Sequence, residues 1–243
     1  MMNWIRIKST FRNRRFVLFT LIFPLGTYWA MNNIAHSAGY NNFEFNTFAF
    51  VTAVIIGIAG NSVVTFSKKI ADSLGFYRLQ AQTSHYGFFS WLRDESLVNL
   101  FLNAVICLAV LLLALACGNV RLTSHLLLII TLLLILGLYL TGIGFFVAQV
   151  FDPKTISALA MPLSSGMGSL MIRWESFFNS NDTVIVILTA IQKFFPGYYL
   201  FLIIEKLNAQ QSIAMELLAF IGTSLLLVIP FGLLFLSRKI KSA

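Results

Sequence analysis

Few residues in this chain are of a type and spacing that could do covalent chemistry. His36, His85 and His125 are scattered, and none belongs to the H-E-x-x-H arrangement that holds a catalytic zinc with a carboxylate base beside it. No G-x-S-x-G elbow raises a serine nucleophile, and no pair of carboxylates lies in one apolar run to share acid and base roles. A phosphate-cradling G-x-x-x-x-G-K-[ST] loop is absent, so the chain has no ATPase motif of its own. Cys107 and Cys117 are ten residues apart in one apolar run, about 15 Å along a helix, too far to pair. Neither a catalytic set nor a metal site is expected, and the chain is not read as an enzyme. Glu205 and Glu216 are the acids nearest to apolar runs, and each is expected at an interface beside Lys206 or lipid headgroups.

The polar groups inside apolar runs are neutral. Asn61, Asn103, Ser164 and Ser165 are the ones whose placement could line a path through a membrane, accompanied by Ser62, Asn99 and several threonines. Such side chains also serve as packing glue, and Gly57, Gly60, Gly142 and Gly144 would let helices approach closely. A route without charge suits an amphiphilic or hydrophobic cargo better than an ion.

The elements that hold these residues follow from composition. Of 243 residues 58% are hydrophobic and only 11% charged, with mean hydropathy +0.83, which excludes disorder and a water-soluble enzyme core. The expected fold is all-α and polytopic, a single membrane domain over 1–243. Against the roughly 20 apolar residues that cross a bilayer, six uncharged runs qualify: Phe16–Phe43, Phe45–Ser67, Ser96–Val120, Leu122–Phe151, Thr155–Ile172 and Leu217–Ser237. The fifth is short, and Arg173 would snorkel to extend it. With both termini in the cytoplasm, Lys and Arg fall inside thirteen times and outside four times. That distribution assigns the net charge of +8 to topology and anionic lipid, without nucleic acid.

Three segments lie off the spans. Residues 1–15 place Trp4, Ile7 and Phe11 on one stripe among basic residues, as an amphipathic helix in the membrane plane would. Residues 68–95 form a cytoplasmic loop rich in large apolar side chains. Its stretch Ile70–Leu79 sets Leu74, Tyr77 and Arg78 at helical spacing for a partner's groove, and its composition equally fits a segment lying on lipid. Residues 173–211 hold two short apolar runs, Thr183–Gln192 and Phe194–Ile204, split by Lys193. Joined, they would be a seventh span with a central Lys193 and Pro196, which would move the basic tail outside. A re-entrant helical hairpin between spans five and six is the expected form. Asn181-Asp182-Thr183 is a three-residue sequon of low specificity.

Several motifs recur in one order. Arg14-Arg15 precede Leu21-Ile22-Phe23-Pro24-Leu25; Lys68-Lys69 and Gly75 sit in the second loop; Met161-Pro162-Leu163-Ser164-Ser165-Gly166 precedes Phe195-Pro196-Gly197-Tyr198-Tyr199 by about thirty residues. Over nearly its whole length the chain thereby resembles the type-2 ABC transporter permease family, the membrane subunits of ABC exporters. It departs from that pattern at Thr83-Ser84, where a proline is common, and lacks a proline after the span-five glycine. The resemblance implies a basic connecting helix at 1–15 and a coupling loop in which Lys68, Lys69, Asp72, Gly75, Tyr77 and Arg78 meet a separate ABC ATPase subunit. It also implies an outer re-entrant gate carrying Pro196, Tyr198 and Tyr199. It further implies a second permease chain, identical or similar, ATP and Mg bound by the ATPase and no cofactor in this chain. The location would be a bacterial plasma membrane, with an antimicrobial peptide or drug as favoured cargo. Two other classes remain open: a polytopic membrane enzyme acting on lipid or peptide, and a toxin-immunity protein.

Overall fold

The computed structural model describes residues 17–37, 39, 43–83, 88–176 and 183–226, with the side chains of 18, 19, 43, 77–83, 88 and 89 outside that description. Among the described residues all regular structure is helical. A π-helical segment, Val17–Ile22, leads into α1 (Phe23–Ser37), and α2 (Phe43–Ala59) follows. A second π-turn, Gly60–Thr65, joins α2 directly to α3 (Phe66–Thr83). Then come α4 (Phe88–Ala116), α5 (Ser124–Val150), α6 (Pro153–Ala158) and α7 (Ala160–Met171). A 3-10 turn (Trp174–Ser176), α8 (Thr183–Gln192), α9 (Pro196–Asn208) and α10 (Ala214–Leu226) complete the order. The expected amphipathic helix at 1–15, His85, the sequon at Asn181 and the basic tail at 238–241 lie outside the described residues.

Three helices are long and apolar enough to cross a membrane: Glu44–Phe76, Ser90–Ala116 and Ser124–Val150. A fourth candidate is the pair α8 and α9, which bend by 101° at their junction. By length and composition these helices are compatible with a multi-pass membrane protein. The chain divides into two compact units, 1–169 and 170–243, the boundary falling near the end of α7.

In the first unit the run Glu44–Phe76 is the most enclosed of the three long helices. It packs on α1, α4 and α5, while α3 also packs on the short α6. Glycine decides how close the helices come. A Cβ on Gly57 would stand 2.7 Å from both Pro24 and Ile106 side chains, and one on Gly144 only 2.0 Å from the Ser62 carbonyl oxygen. An exposed face of α4 is apolar, with Leu97, Phe101, Leu108 and Leu112 recurring along it.

Turns and caps follow the local sequence. Gly118, at φ 70°, ends α4: the Asn119 amide donates to the Ala114 carbonyl, as in a left-handed helix cap. Five residues on, the Thr123 hydroxyl accepts from the Leu126 amide and starts α5. Asp152 caps α6, where Pro153 takes the first turn. The uncharged run Thr155–Ile172 is broken into α6 and α7 at Leu159. Pro162 lacks the amide that would meet the Ala158 carbonyl, so a continuous helix loses a rung there.

The second unit is built on α9. Pro196 opens that helix, and a Cβ on Gly197 would meet the Met171 backbone at 2.5 Å, so the end of α7 lies directly on the start of α9. The two apolar runs split by Lys193 are separate helices, α8 and α9, turned sharply at Lys193–Phe195. α9 and α10 pack on each other and are tied by Lys206 Nζ to Glu216 Oε1 at 2.6 Å.

Candidate functional site

The described polar residues gather in three places. The deepest is a network of neutral side chains in the first unit, carried by the π-turn, α4 and α5. Asn61 donates from its amide nitrogen to Asn99 Oδ1 (2.9 Å) and Asn103 Oδ1 (2.7 Å). Asn99 donates to Ser62 Oγ (3.0 Å) and Thr141 Oγ1 (2.7 Å), and Asn103 to Ser62 Oγ (3.0 Å). The Thr141 hydroxyl donates to the Gly137 carbonyl at 2.7 Å. Every member is buried, with exposures of 0 to 4%. An unpaired amide at such depth would cost about 1–3 kcal/mol, so this mutual satisfaction is what permits the group to exist there. Asn61 Oδ1 is the exception, with no hydrogen-bond partner among the described residues.

The backbone explains why these groups meet. In the π-turn the Phe66 amide donates to the Asn61 carbonyl, five residues back, which widens the helix. Gly144 lets the adjacent Ser62 carbonyl approach α5, and Gly137 leaves room for the Asn103 amide, 2.8 Å from where its Cβ would stand.

Of the four residues expected to line a path, the structure brings Asn61 and Asn103 together. Ser164 and Ser165 lie on α7, their hydroxyls donating to the Met161 carbonyl of their own helix at 3.2 and 2.7 Å. Ser62 and Asn99, which the sequence places among the neutral polar groups of the apolar runs, complete the network together with Thr141, which it does not single out. Asn99 and Asn103, four apart on one helical run, were the available signal.

The second place is the end of α3. Lys69 Nζ lies 2.6 Å from Glu95 Oε2, whose side chain is only 4% exposed, so Lys69 ties α3 to α4. Lys68 is half-buried, Asp72 exposed, and Gly75 exposed with open space where a side chain would stand. Phe76 beside it is 66% exposed. Tyr77 and Arg78 continue the same helix, and their side chains lie outside the described ones. Glu95 was missed by the sequence reading, since a lone acid before an apolar run carries no pattern of its own.

The third place is in the second unit. Arg173 bridges two carboxylates, Glu175 at 2.5 Å and Glu205. The Tyr198 hydroxyl donates to Glu175 Oε1 at 3.0 Å, and the Arg173 guanidinium lies 5.7 Å from the Tyr198 ring centre. Burial alone would raise the Glu175 carboxyl, but hydrogen bonds from Arg173 and Tyr198 and the Arg173 charge outweigh it and hold it below the usual carboxylate range. Tyr199 meets Tyr198 edge to face, with ring centres 5.4 Å apart. Pro196, Tyr198 and Tyr199 thus share the first turn of α9, and Tyr198 is the one joined to the ionic group. Both Glu205 and Glu216 are expected beside Lys206 or lipid headgroups; Glu216 pairs with Lys206, ten residues away, whereas Glu205 pairs with Arg173.

Among the described residues no three His, Cys, Asp or Glu side chains are grouped to hold a metal ion. What the described arrangement offers chemically is hydrogen bonding in an apolar interior. No family model, no curated protein and no solved structure matches the chain.

Proposed function

We propose that the chain is the membrane-spanning permease subunit of an ATP-driven ABC exporter, carrying an amphiphilic or hydrophobic substrate out of a bacterial cell. An antimicrobial peptide or a drug is the favoured cargo. In this proposal the chain crosses the plasma membrane six times with both termini in the cytoplasm. The bent pair α8 and α9 forms a re-entrant element at the outer side, and a second permease chain completes the path. A separate ABC ATPase binds ATP and Mg and meets the segment of Lys68, Lys69, Asp72, Gly75, Tyr77 and Arg78.

The observation that carries the proposal is the helical run Phe43–Thr83. It begins in the apolar bundle, takes part in the buried amide network at Asn61 and Ser62, and continues as helix past Lys68 and Lys69 to the exposed Asp72, Gly75 and Phe76. Such a run is a continuous helical path from its polar end, through the Gly60–Thr65 turn, to the amide network, by which movement of the polar end can reach the interior. The outward-facing end leaves room for a partner, and the inner end touches neutral polar groups that suit an uncharged or amphiphilic cargo.

The test is reconstitution of the full chain with a candidate ABC ATPase in lipid vesicles. ATPase turnover should rise when the chain is present, and Asp72→Lys or Gly75→Trp should remove that rise without unfolding the chain. Unchanged coupling across substitutions from Lys68 to Arg93 would defeat the proposed mechanism. Chemical turnover of lipid or peptide by the purified chain alone, without nucleotide, would instead establish a membrane enzyme.

A further inference from the structure

The helix that carries Asn61 and Lys69 pairs with α4 at two levels. Asn61 meets Asn103, and Lys69 meets Glu95, so a step of eight residues along one helix matches a step of eight back along its antiparallel partner. The π-turn begins at the first level, where it carries Asn61 and Ser62, and ends four residues before Lys69. Eight α-helical steps of about 100° would leave Asn61 and Lys69 ~80° apart around the axis, whereas seven leave ~20°. By closing a five-residue hydrogen bond, from the Phe66 amide to the Asn61 carbonyl, the π-turn absorbs one residue and makes eight positions act as seven. The Thr65 hydroxyl, 3.4 Å from the Gly60 carbonyl, spans the same widened turn.

If the turn relaxes to α geometry while the amide network holds the upper half, everything below it moves by one position. Lys69 then turns away by ~100°, and the residue seven steps from Asn61 becomes Lys68. The sequence therefore supplies a lysine at that place in either form. Glu95, 4% exposed, is paired with Lys69 in the form seen here.

We propose that Gly60–Thr65 is a one-residue register switch that presents either Lys69 or Lys68 to the buried Glu95, turning α3 about its axis while the Asn61 network stays in place. The switch rotates the segment bearing Asp72 and Gly75 relative to the fixed amide network, with an ion pair at each end state. It rests on helical geometry and the tandem lysines, and holds whether or not an ATPase binds the chain.

The test uses the full chain alone in phospholipid vesicles, with Cys107→Ala and Cys117→Ser removing the native thiols. Direct disulfide formation is compared for three pairs: Lys69→Cys with Glu95→Cys, Lys68→Cys with Glu95→Cys, and Ala71→Cys with Glu95→Cys as the off-face control. The first two should exceed the control by about fivefold or more, since a disulfide forms only at Cα separations below ~7 Å. Deleting Val64 removes the spare residue, so the helix is α throughout with its lower faces unchanged. The Lys69 pair should then persist within about twofold, and the Lys68 pair should fall to the control. A Lys68 pair at control level in the undeleted chain overturns the switch, and that comparison requires no deletion. Loss of the Lys69 pair, or of the folded chain, on deleting Val64 overturns the spacer argument. None of these results depends on ATPase stimulation, so failure here and failure of the permease proposal are told apart.

Discussion

Replacing Gly144 by alanine puts one carbon atom into the tightest contact in the first unit. The added Cβ would stand 2.0 Å from the Ser62 carbonyl oxygen and 3.1 Å from its carbonyl carbon. Real Cβ contacts essentially never fall under 3.0 Å, so α5 or the π-turn must retreat by about 1 Å, and the obstruction is backbone that no rotamer change removes. Alanine itself favours a helix over glycine by roughly 1 kcal/mol. Overpacking of this kind costs about 1–3 kcal/mol, and the retreat also stretches the hydrogen bonds of Asn99 and Asn103 to Ser62, each worth ~0.6 kcal/mol between membrane helices. The expected net is a loss of about 2 kcal/mol, or ~4–8 °C in Tm for a chain of this length. Gly26→Ala is the control: Gly26 is exposed on α1 with nothing within 4 Å of its Cβ position, and the substitution should leave Tm unchanged or slightly higher. Thermal unfolding of the detergent-solubilised chain, followed by intrinsic fluorescence, measures both. If Gly144→Ala melts with or above the parent while Gly26→Ala does the same, the close approach of the π-turn to α5 is refuted.

Other substitutions probe the remaining contacts. Asn61→Leu and Asn103→Leu, alone and together, should show a coupling free energy of about 0.6–1.7 kcal/mol in a double-mutant cycle, and additive effects would mean that the amides do not bond each other. Glu175, whose carboxyl is held below its ordinary value, contributes stability that is fully present above the unfolded carboxylate pKa of about 4.3. That contribution is lost as pH falls through the lower folded value. Glu175→Gln should therefore flatten the acid limb of the hydrogen-exchange protection of α9, and an unaltered limb would place the pH response elsewhere. Gly197→Ala, whose Cβ would meet the Met171 Cα at 2.7 Å, should loosen α9 from the end of α7 and lower Tm by an amount comparable to Gly144→Ala.

The long helices were legible because charge marks their ends. The uncharged runs Ser96–Val120 and Leu122–Phe151 reappear as the apolar parts of α4 and α5, with Gly118 and Thr123 supplying the stop and start. Charge ends a membrane run but does not end a helix, and for that reason Phe45–Ser67 continues through Lys68 and Lys69 as one helical path to Thr83. The converse holds at Thr155–Ile172, where no charge interrupts the run but Pro162 does. The π-turn was invisible, because no residue type specifies it: Gly60-Asn61-Ser62-Val63-Val64-Thr65 reads as ordinary helix, and the widening shows only in which carbonyl the Phe66 amide finds. Asn61 and Asn103 could be chosen as polar groups in apolar runs, but their meeting depends on the register of two helices. Tertiary packing sets that register and single-residue patterns do not. Ser164 and Ser165 were equally plausible by type and turn back on their own helix instead.

The proposal of an energy-supplying partner gripping α3 is tested most directly by placing a photo-activated cross-linking amino acid at Asp72 or Phe76 in the intact cell membrane and identifying what is captured. The predicted product joins this chain to a protein containing a nucleotide-binding ATPase domain, and it is absent when the cross-linker is placed at the exposed Leu112 of α4. Capture of lipid alone at both α3 positions, or of the same products from Leu112, would contradict it.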